Sequence, residues 1–290
     1  MVDWATPAFK TGAALARAVP APLARRTGEL LGTAAGFVPT GRRRLVARNL
    51  RRVRPGLSER ELRSAVRATF ASYGRYWVES FRLPGTPPAE LAAHFTTEGY
   101  EHLEEARAAG RGAIMALPHL GGWEWAGFWL TTVAGVPMTV VVERLQPPEL
   151  FEWFADLRRR LGFEVVGLGP EAGAACTRAL RANRALALLC DRDIGGDGVP
   201  VELFGEGTTL PAGPATLALR TGAPLLPVAV YHDGPGHHAV VRPPIPVERA
   251  GRLRDDVARI TRLLAAELEV LIARAPEQWH LMQPNWPSDR

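Results

Sequence analysis

Lysine is all but missing from this chain: Lys10 is the only one. The basic side of a balance of 35 Lys and Arg against 30 Asp and Glu is therefore almost wholly arginine. Arginine keeps its charge when partly buried and grips phosphate with a planar fork. The net charge of +5 thus points to an acidic partner, such as nucleic acid, an anionic bilayer or a phosphorylated cofactor. Cysteine is scarce as well. Cys176 in an Ala-rich stretch and Cys190 at the end of an apolar run exclude a disulfide framework. Both are expected as free buried thiols, which suits a reducing compartment. No secretory leader is expected, since the start carries Asp3 and no basic stretch followed by an apolar one. Long apolar runs are lacking too. Residues 125–142 hold no charge, but Gly135-Val-Pro137 divides them into a helix, a turn and a β-branched strand, so no transmembrane helix is expected. There is no internal repeat and no low-complexity tract, and 47% hydrophobic against 22% charged residues excludes a disordered chain.

What is present divides into two textures. Residues 1–84 read as a helical, basic segment, with helices over 9–19, 23–37 and 42–54 and another opened by Ser58-Glu-Arg-Glu61, a capping-box pattern. Seven arginines fall within 42–54, and no acidic residue occurs between Glu29 and Glu59. Such a run reads either as a solvated helix face or as a patch for anionic lipid, each arginine near a membrane being worth about 1 kcal/mol. Nucleic acid is disfavoured, because no finger, RRM or helix-turn-helix pattern accompanies the charge. From 85 to 290 strand-like runs (112–117, 136–142, 163–166, 185–190, 201–204, 225–231 and 239–242) alternate with helical ones (148–161, 171–182, 213–220 and 252–274). This predicts an α/β fold with a mixed, mostly parallel central sheet flanked by helices, a single compact domain with the helical segment in front.

The chemistry concentrates in Ala113-Ile-Met-Ala-Leu-Pro-His119-Leu-Gly-Gly-Trp-Glu124-Trp. A buried strand delivers His119 just beyond its end, where ligands bind in open α/β sheets. A turn at Gly121-Gly122 and one helical turn are expected to return Glu124 to the imidazole, fixing its tautomer and raising its basicity. A lone histidine beside a carboxylate is often only a satisfied structural residue. The spacing is not that of a metalloprotease helix, and no metal site is expected. Asp191, Arg192 and Asp193 follow another buried strand and so reach the same sheet edge, either to contact substrate or to hold the loop 192–198 as an ion-pair network. His237 and His238 follow a turn and are expected to be exposed, and His280 beside Trp279 is expected to pack. Residues 200–214 read as a strand and then a loop across the site mouth.

His-x4-Glu after an apolar strand resembles the motif of glycerolipid and lysophospholipid acyltransferases. Four further blocks occur in order: Arg42-Arg-Arg with Ala47-Arg-Asn-Leu50; Glu143-Arg144-Leu145 with Arg158-x-x-Leu161-Gly162; Asp191-Arg-Asp193 with Gly198-Val-x-Val-x-Leu-Phe204-Gly205 and Pro211-Ala-Gly-Pro214; and Pro276-Glu-Gln-Trp279-His280-Leu-Met-Gln283. Together they are similar to the bacterial lysophospholipid and lipid A late acyltransferase family, and within it to the phosphatidylinositol mannoside branch. The resemblance covers nearly the whole chain. It implies direct transfer of a palmitoyl-type chain from acyl-CoA, as co-substrate, to a mannose hydroxyl of a phosphatidylinositol mannoside, without a further cofactor. It implies His119 as general base oriented by Glu124, with Glu143, Arg158, Asp191, Arg192, Asp193 and Glu202 as substrate-side candidates. The implied setting is peripheral, on the cytoplasmic face of the cell membrane. Two positions depart from the branch: Glu124 stands where Asp is usual, and Gly122 where Asn is often found. An acceptor of lipid A or lysophospholipid type, an acyl carrier protein donor, or a non-catalytic lipid-binding role are the alternatives.

Overall fold

Short β-branched and aliphatic runs separated by helical stretches build a three-layer α/β molecule in the computed structural model, which describes residues 5–289. The reading of the chain start through Asp3 lies outside those residues. Helices α1 (Ala5–Ala18), α2 (Ala21–Ala35), α3 (Gly41–Val53) and α4 (Glu59–Arg82) come first, and α5 (Pro88–Ala93) leads into the sheet. Then follow β1 (Phe95–Glu98), α6 (Tyr100–Ala108), β2 (Ala113–Leu117), α7 (Trp123–Thr132), β3 (Met138–Val142), α8 (Pro148–Arg160), β4 (Phe163–Gly167), α9 (Ala172–Arg181) and β5 (Ala185–Leu189). The chain continues with β6 (Val199–Leu203), β7 (Glu206–Leu210), α10 (Gly213–Thr221), β8 (Leu225–Asp233), β9 (Gly236–Val241) and α11 (Leu253–Arg274). Seven strands form one sheet in the order β1-β9-β8-β2-β5-β3-β4. Every neighbouring pair is parallel except β8 and β9, so the sheet is mixed and mostly parallel.

β2 lies at the centre of this sheet, between β8 and β5. Its side chains alternate between two apolar layers, as strand geometry requires. Ala113, Met115 and Leu117 join the layer built with α4, α7 and α8, while Ile114 and Ala116 join the layer built with α10 and α11. Burial on both faces explains its unbroken apolar run. The N-terminal helices are part of the same core: Ala13, Ala16, Tyr76 and Phe81 share a cluster with Leu117 and Trp123. The capping box forms as the residue types require, Ser58 N donating to Glu61 and Glu61 N to Ser58 Oγ. Glycines let α2 press against α4, since a Cβ at Gly32 would fall 2.1 Å from the Phe70 carbonyl oxygen. No helix among the described residues is long and apolar enough to cross a membrane. Residues 125–142 form α7, a turn and β3, and both cysteines are buried and free.

Two local expectations need correction. Residues 200–214 are not a strand and a loop but a hairpin, β6 with β7, whose Val201, Leu203, Thr208 and Leu210 all point inwards. The inward pattern of β7 rests on two residues only, too short a period to read. His237 is buried at 2% exposure, because β9 begins at Gly236 and the turn ends one residue earlier than expected. The arginine run lies mostly on an exposed face, and several of its members are paired. Arg52 bonds Glu206 at 2.7 Å and Asp289 at 2.9 Å, Arg54 bonds Glu277 at 2.6 Å, and Arg51 pairs with Glu59. Arg42 and Arg44 stay exposed, with no carboxylate partner among the described residues.

Candidate active site

Pro118 ends β2 and sets His119 at the rim of the sheet. The turn that follows is held from two sides. Gly121 has φ +57°, and a Cβ there would sit 1.9 Å from the Val230 carbonyl oxygen, so only glycine fits. The C-terminal segment clamps the same turn: Gly121 N donates to Gln278 O at 3.0 Å and His280 N to His119 O at 2.7 Å. The Pro276–Gln283 block therefore serves as a brace for the His119 turn.

The carboxylate that meets the imidazole is Asp191, not Glu124. His119 Nδ1 lies 2.6 Å from Asp191 Oδ1, and the His119 backbone N–H donates to Oδ2 at 3.0 Å. Trp279 Nε1 donates to the same Oδ2 at 2.7 Å, and Asn285 Nδ2 to the Asp191 carbonyl at 3.2 Å. Asp191 is fully buried. Burial by itself would raise its pKa, but the adjoining imidazole and the N–H donors outweigh it and hold the carboxyl below its usual range. The Asp191 carboxylate reaches His119 because β2 and β5 pair in parallel with Leu117 level with Leu189, which brings the two strand ends together. The His119 side chain is about one-third exposed, and Nε2 makes no hydrogen bond to the described residues.

Glu124 starts α7 and points elsewhere. It is buried at 3% exposure and bonds Arg158 of α8 at 2.5 Å, with the guanidinium 5.4 Å from the Trp123 ring centre. Helix direction explains the miss: the turn at Gly121 and Gly122 rotates α7 so that its first carboxylate faces α8. Glu143 pairs with Arg192. Asp193 accepts from Gly196 N, Gly198 N and Thr209 Oγ1, which makes it the tie of the loop after β5. Glu202 projects from the exposed face of β6. The structure thus joins His119 with Asp191, Glu124 with Arg158, and Glu143 with Arg192, while Asp193 and Glu202 stand outside these pairs. Trp279 and Asn285 were not singled out as functional, and no local pattern marks them as donors to a group 88 and 94 positions away.

Two further features adjoin the site. His280 is buried, with Nε2 2.9 Å from Ser72 Oγ, and Tyr73 and Tyr76 pack on its ring. Burial, with a smaller push from the nearby His119, lowers this imidazole to about 3. On the α7 side of β2 lies a small apolar pocket of about 40 Å³, lined among others by Met115, Leu117, Trp123, Ala126, Leu130 and Val228.

A strand-end imidazole with one nitrogen held by a buried carboxylate and the other open is an arrangement suited to taking a proton from a hydroxyl. Beside it lies an apolar slot, which defines a class: an enzyme site able to act on a hydroxyl next to a lipid-like chain. The chain belongs to the bacterial lipid A biosynthesis acyltransferase family, whose model matches residues 2–288, and it is an O-acyltransferase. A phosphatidylinositol mannoside acyltransferase of Mycolicibacterium smegmatis is 42% identical over 227 residues, 77% of this chain and 73% of that one. One from Mycobacterium tuberculosis is 43% identical over 228 residues, covering 77% and 70%. A lipid A biosynthesis acyltransferase of Haemophilus influenzae is 28% identical over 190 residues, covering 62% and 55%.

Proposed function

We propose that this chain transfers a palmitoyl-type acyl group from acyl-CoA to a mannose hydroxyl of a phosphatidylinositol mannoside. The observation that carries the reading is the His119–Asp191 pair with an open Nε2, in a chain 42% identical to a phosphatidylinositol mannoside acyltransferase. Nε2 of His119 takes the acceptor proton as the hydroxyl oxygen attacks the thioester carbonyl. The new C–O ester bond forms, the C–S bond breaks, and the imidazolium returns its proton to the departing thiolate. Asp191 fixes the proton on Nδ1 and stabilises the imidazolium. A positioned base of this kind contributes about 10²–10⁴-fold.

An acyl chain would enter at the small apolar pocket beside β2 by widening it, each buried methylene being worth about 0.8 kcal/mol. Arg158 and Arg192, each paired with a carboxylate, are the cations that would meet phosphate on donor or acceptor. Docking to the cytoplasmic face of the membrane would use Leu23, Leu30, Leu31, Phe37 and Val38, all more than half exposed, with Arg26, Arg42 and Arg44 alongside. Purified protein should acylate the mannoside from acyl-CoA, with the product identified by mass spectrometry. His119→Ala should lower kcat by about 10²–10⁴-fold while the circular dichroism spectrum is unchanged. Near-normal turnover by that variant would rule out His119 as base. Preference for a lipid A precursor or an acyl carrier protein donor in a competition assay would reassign the substrates and keep the chemistry.

A further inference from the structure

Three polar side chains converge away from His119 and play no part in the reaction above. Glu79 comes from α4, and His232 and His237 from β8 and β9. His232 and His237 are directly opposed in the antiparallel register, so both imidazoles stand on one face of the hairpin, the face that α4 covers. Glu79 is 9% exposed and His237 2% exposed. The distances are longer than those of charge-assisted hydrogen bonds, although the two imidazole nitrogens meet at hydrogen-bond length. Glu79 Oε2 lies 3.1 Å from His237 Nε2 and 3.6 Å from His232 Nδ1, and the two nitrogens are 3.3 Å apart. Charge-assisted bonds to carboxylate are about 2.7–2.9 Å long. The neighbouring Arg75–Glu79 bond, at 2.8 Å, has that length. Glu79 Oε2 accepts no hydrogen bond, although its companion Oε1 does.

Such a triangle is the edge pattern of a tetrahedral ion. Ligands at ~2.0–2.2 Å from a tetrahedral centre stand about 3.3–3.6 Å from one another. Two imidazoles bound to it have ring centres about 5 Å apart, and these two lie 5.2 Å apart. We propose that Glu79, His232 and His237 form a binding site for a divalent transition metal ion, of which Zn²⁺ fits the two-nitrogen, one-oxygen donor set best. Glu79 Oε2, His232 Nδ1 and His237 Nε2 are the ligand atoms, which places the imidazole protons on His232 Nε2 and His237 Nδ1.

A surface groove lined by Arg26, Ser72, Arg75 and Gln278 reaches His232, giving the ion an entry path and its fourth position a water. Gly122 leaves the room: a Cβ there would lie 2.3 Å from His237 Nε2. The Trp125 ring stacks on His237 at 4.6 Å and holds it in place. The ion would clamp α4 to the β8–β9 hairpin, and its role would be structural.

The test uses tag-free protein and the metals alone. Equilibrium dialysis against Zn²⁺ should give one equivalent per chain. Glu79→Gln and His237→Gln should each weaken that binding by at least about tenfold, and His119→Ala should leave it unchanged. Co²⁺ in the wild-type chain should give the intense visible bands of a four-coordinate ion, a readout that stands even if a variant folds poorly. Less than a tenth of an equivalent of Zn²⁺, the weak spectrum of six-coordinate Co²⁺, or binding as tight as wild type in both variants would overturn the site.

Discussion

Both oxygens of Asp191 are occupied by N–H groups, of the His119 ring on one side and of the His119 backbone and Trp279 on the other. A carboxylate held this way has one orientation, and it passes that orientation to the imidazole. Asp191→Asn keeps the shape but can stabilise the wrong tautomer, so it should lower kcat by about 10²–10⁴-fold with KM and melting temperature little changed. Glu124→Gln should behave differently. It leaves Arg158 buried without its partner, a loss of about 3–5 kcal/mol when a buried pair is broken. Thermal unfolding should therefore show a markedly lower Tm for Glu124→Gln than for Asp191→Asn. Equal melting temperatures, with activity lost only in Glu124→Gln, would return the orienting role to Glu124. The difference between the two carboxylates is one of direction. Spacing along the chain placed Glu124 within reach, yet the glycine turn aims it at α8.

Helix α2 is the element whose two sides have opposite tasks. Gly28 and Gly32 face α4, where any side chain would collide with its backbone, and Leu23, Leu30 and Leu31 face solvent. Packing therefore uses the small residues and leaves the large apolar ones uncovered, which is the reverse of an ordinary surface helix. With Leu30 69% and Leu31 67% exposed, the double change Leu30→Asp with Leu31→Asp should leave the fold intact. It should reduce binding to vesicles of anionic lipid by at least about tenfold, measured by cosedimentation. Unaltered binding would remove α2 from the docking surface. Gly32→Leu should instead lower the Tm, because it drives α2 away from α4. At the same scale, α3 shows why a charge run is a poor guide by itself. Its arginines bond Glu59, Glu206, Glu277 and Asp289, and two of these partners, Glu206 and Asp289, lie on elements 154 and 237 positions away from Arg52.

Across the whole molecule, the helical segment, the sheet and the C-terminal segment meet around a set of buried histidines that burial keeps uncharged. His280 illustrates the consequence for stability. Its folded value of about 3 lies below the ordinary value of 6.5. Above pH 6.5 it is neutral in both states and adds no pH dependence. As pH falls below 6.5 the unfolded chain takes up the proton and the folded one refuses it, so stability declines until about pH 3. At pH 5 the loss from this one group is about 2 kcal/mol. Burial lowers His232 and His237 in the same direction. Urea unfolding at pH 7.5 and pH 5 should show the wild type losing stability on acidification, and His280→Phe losing less. An equal loss in both would mean that His280 contributes nothing to the slope. The alternation of helices and strands, the buried central strand and the delivery of His119 to its end were legible beforehand, whereas β1, α5, α6 and β7 were not. The capping box and the buried thiols were legible as well. Each of these depends on periodicity and turn chemistry within about a dozen residues, which the chain carries locally. What the tertiary structure decided is which groups meet: Asp191 with His119, Arg158 with Glu124, Arg52 with Asp289, and Glu79 with His232 and His237. Those meetings depend on strand register, on the rotation of α7 after its glycine turn and on packing between segments far apart in the chain. A small change in a turn dihedral redirects everything beyond it, so no local pattern encodes where such a side chain ends.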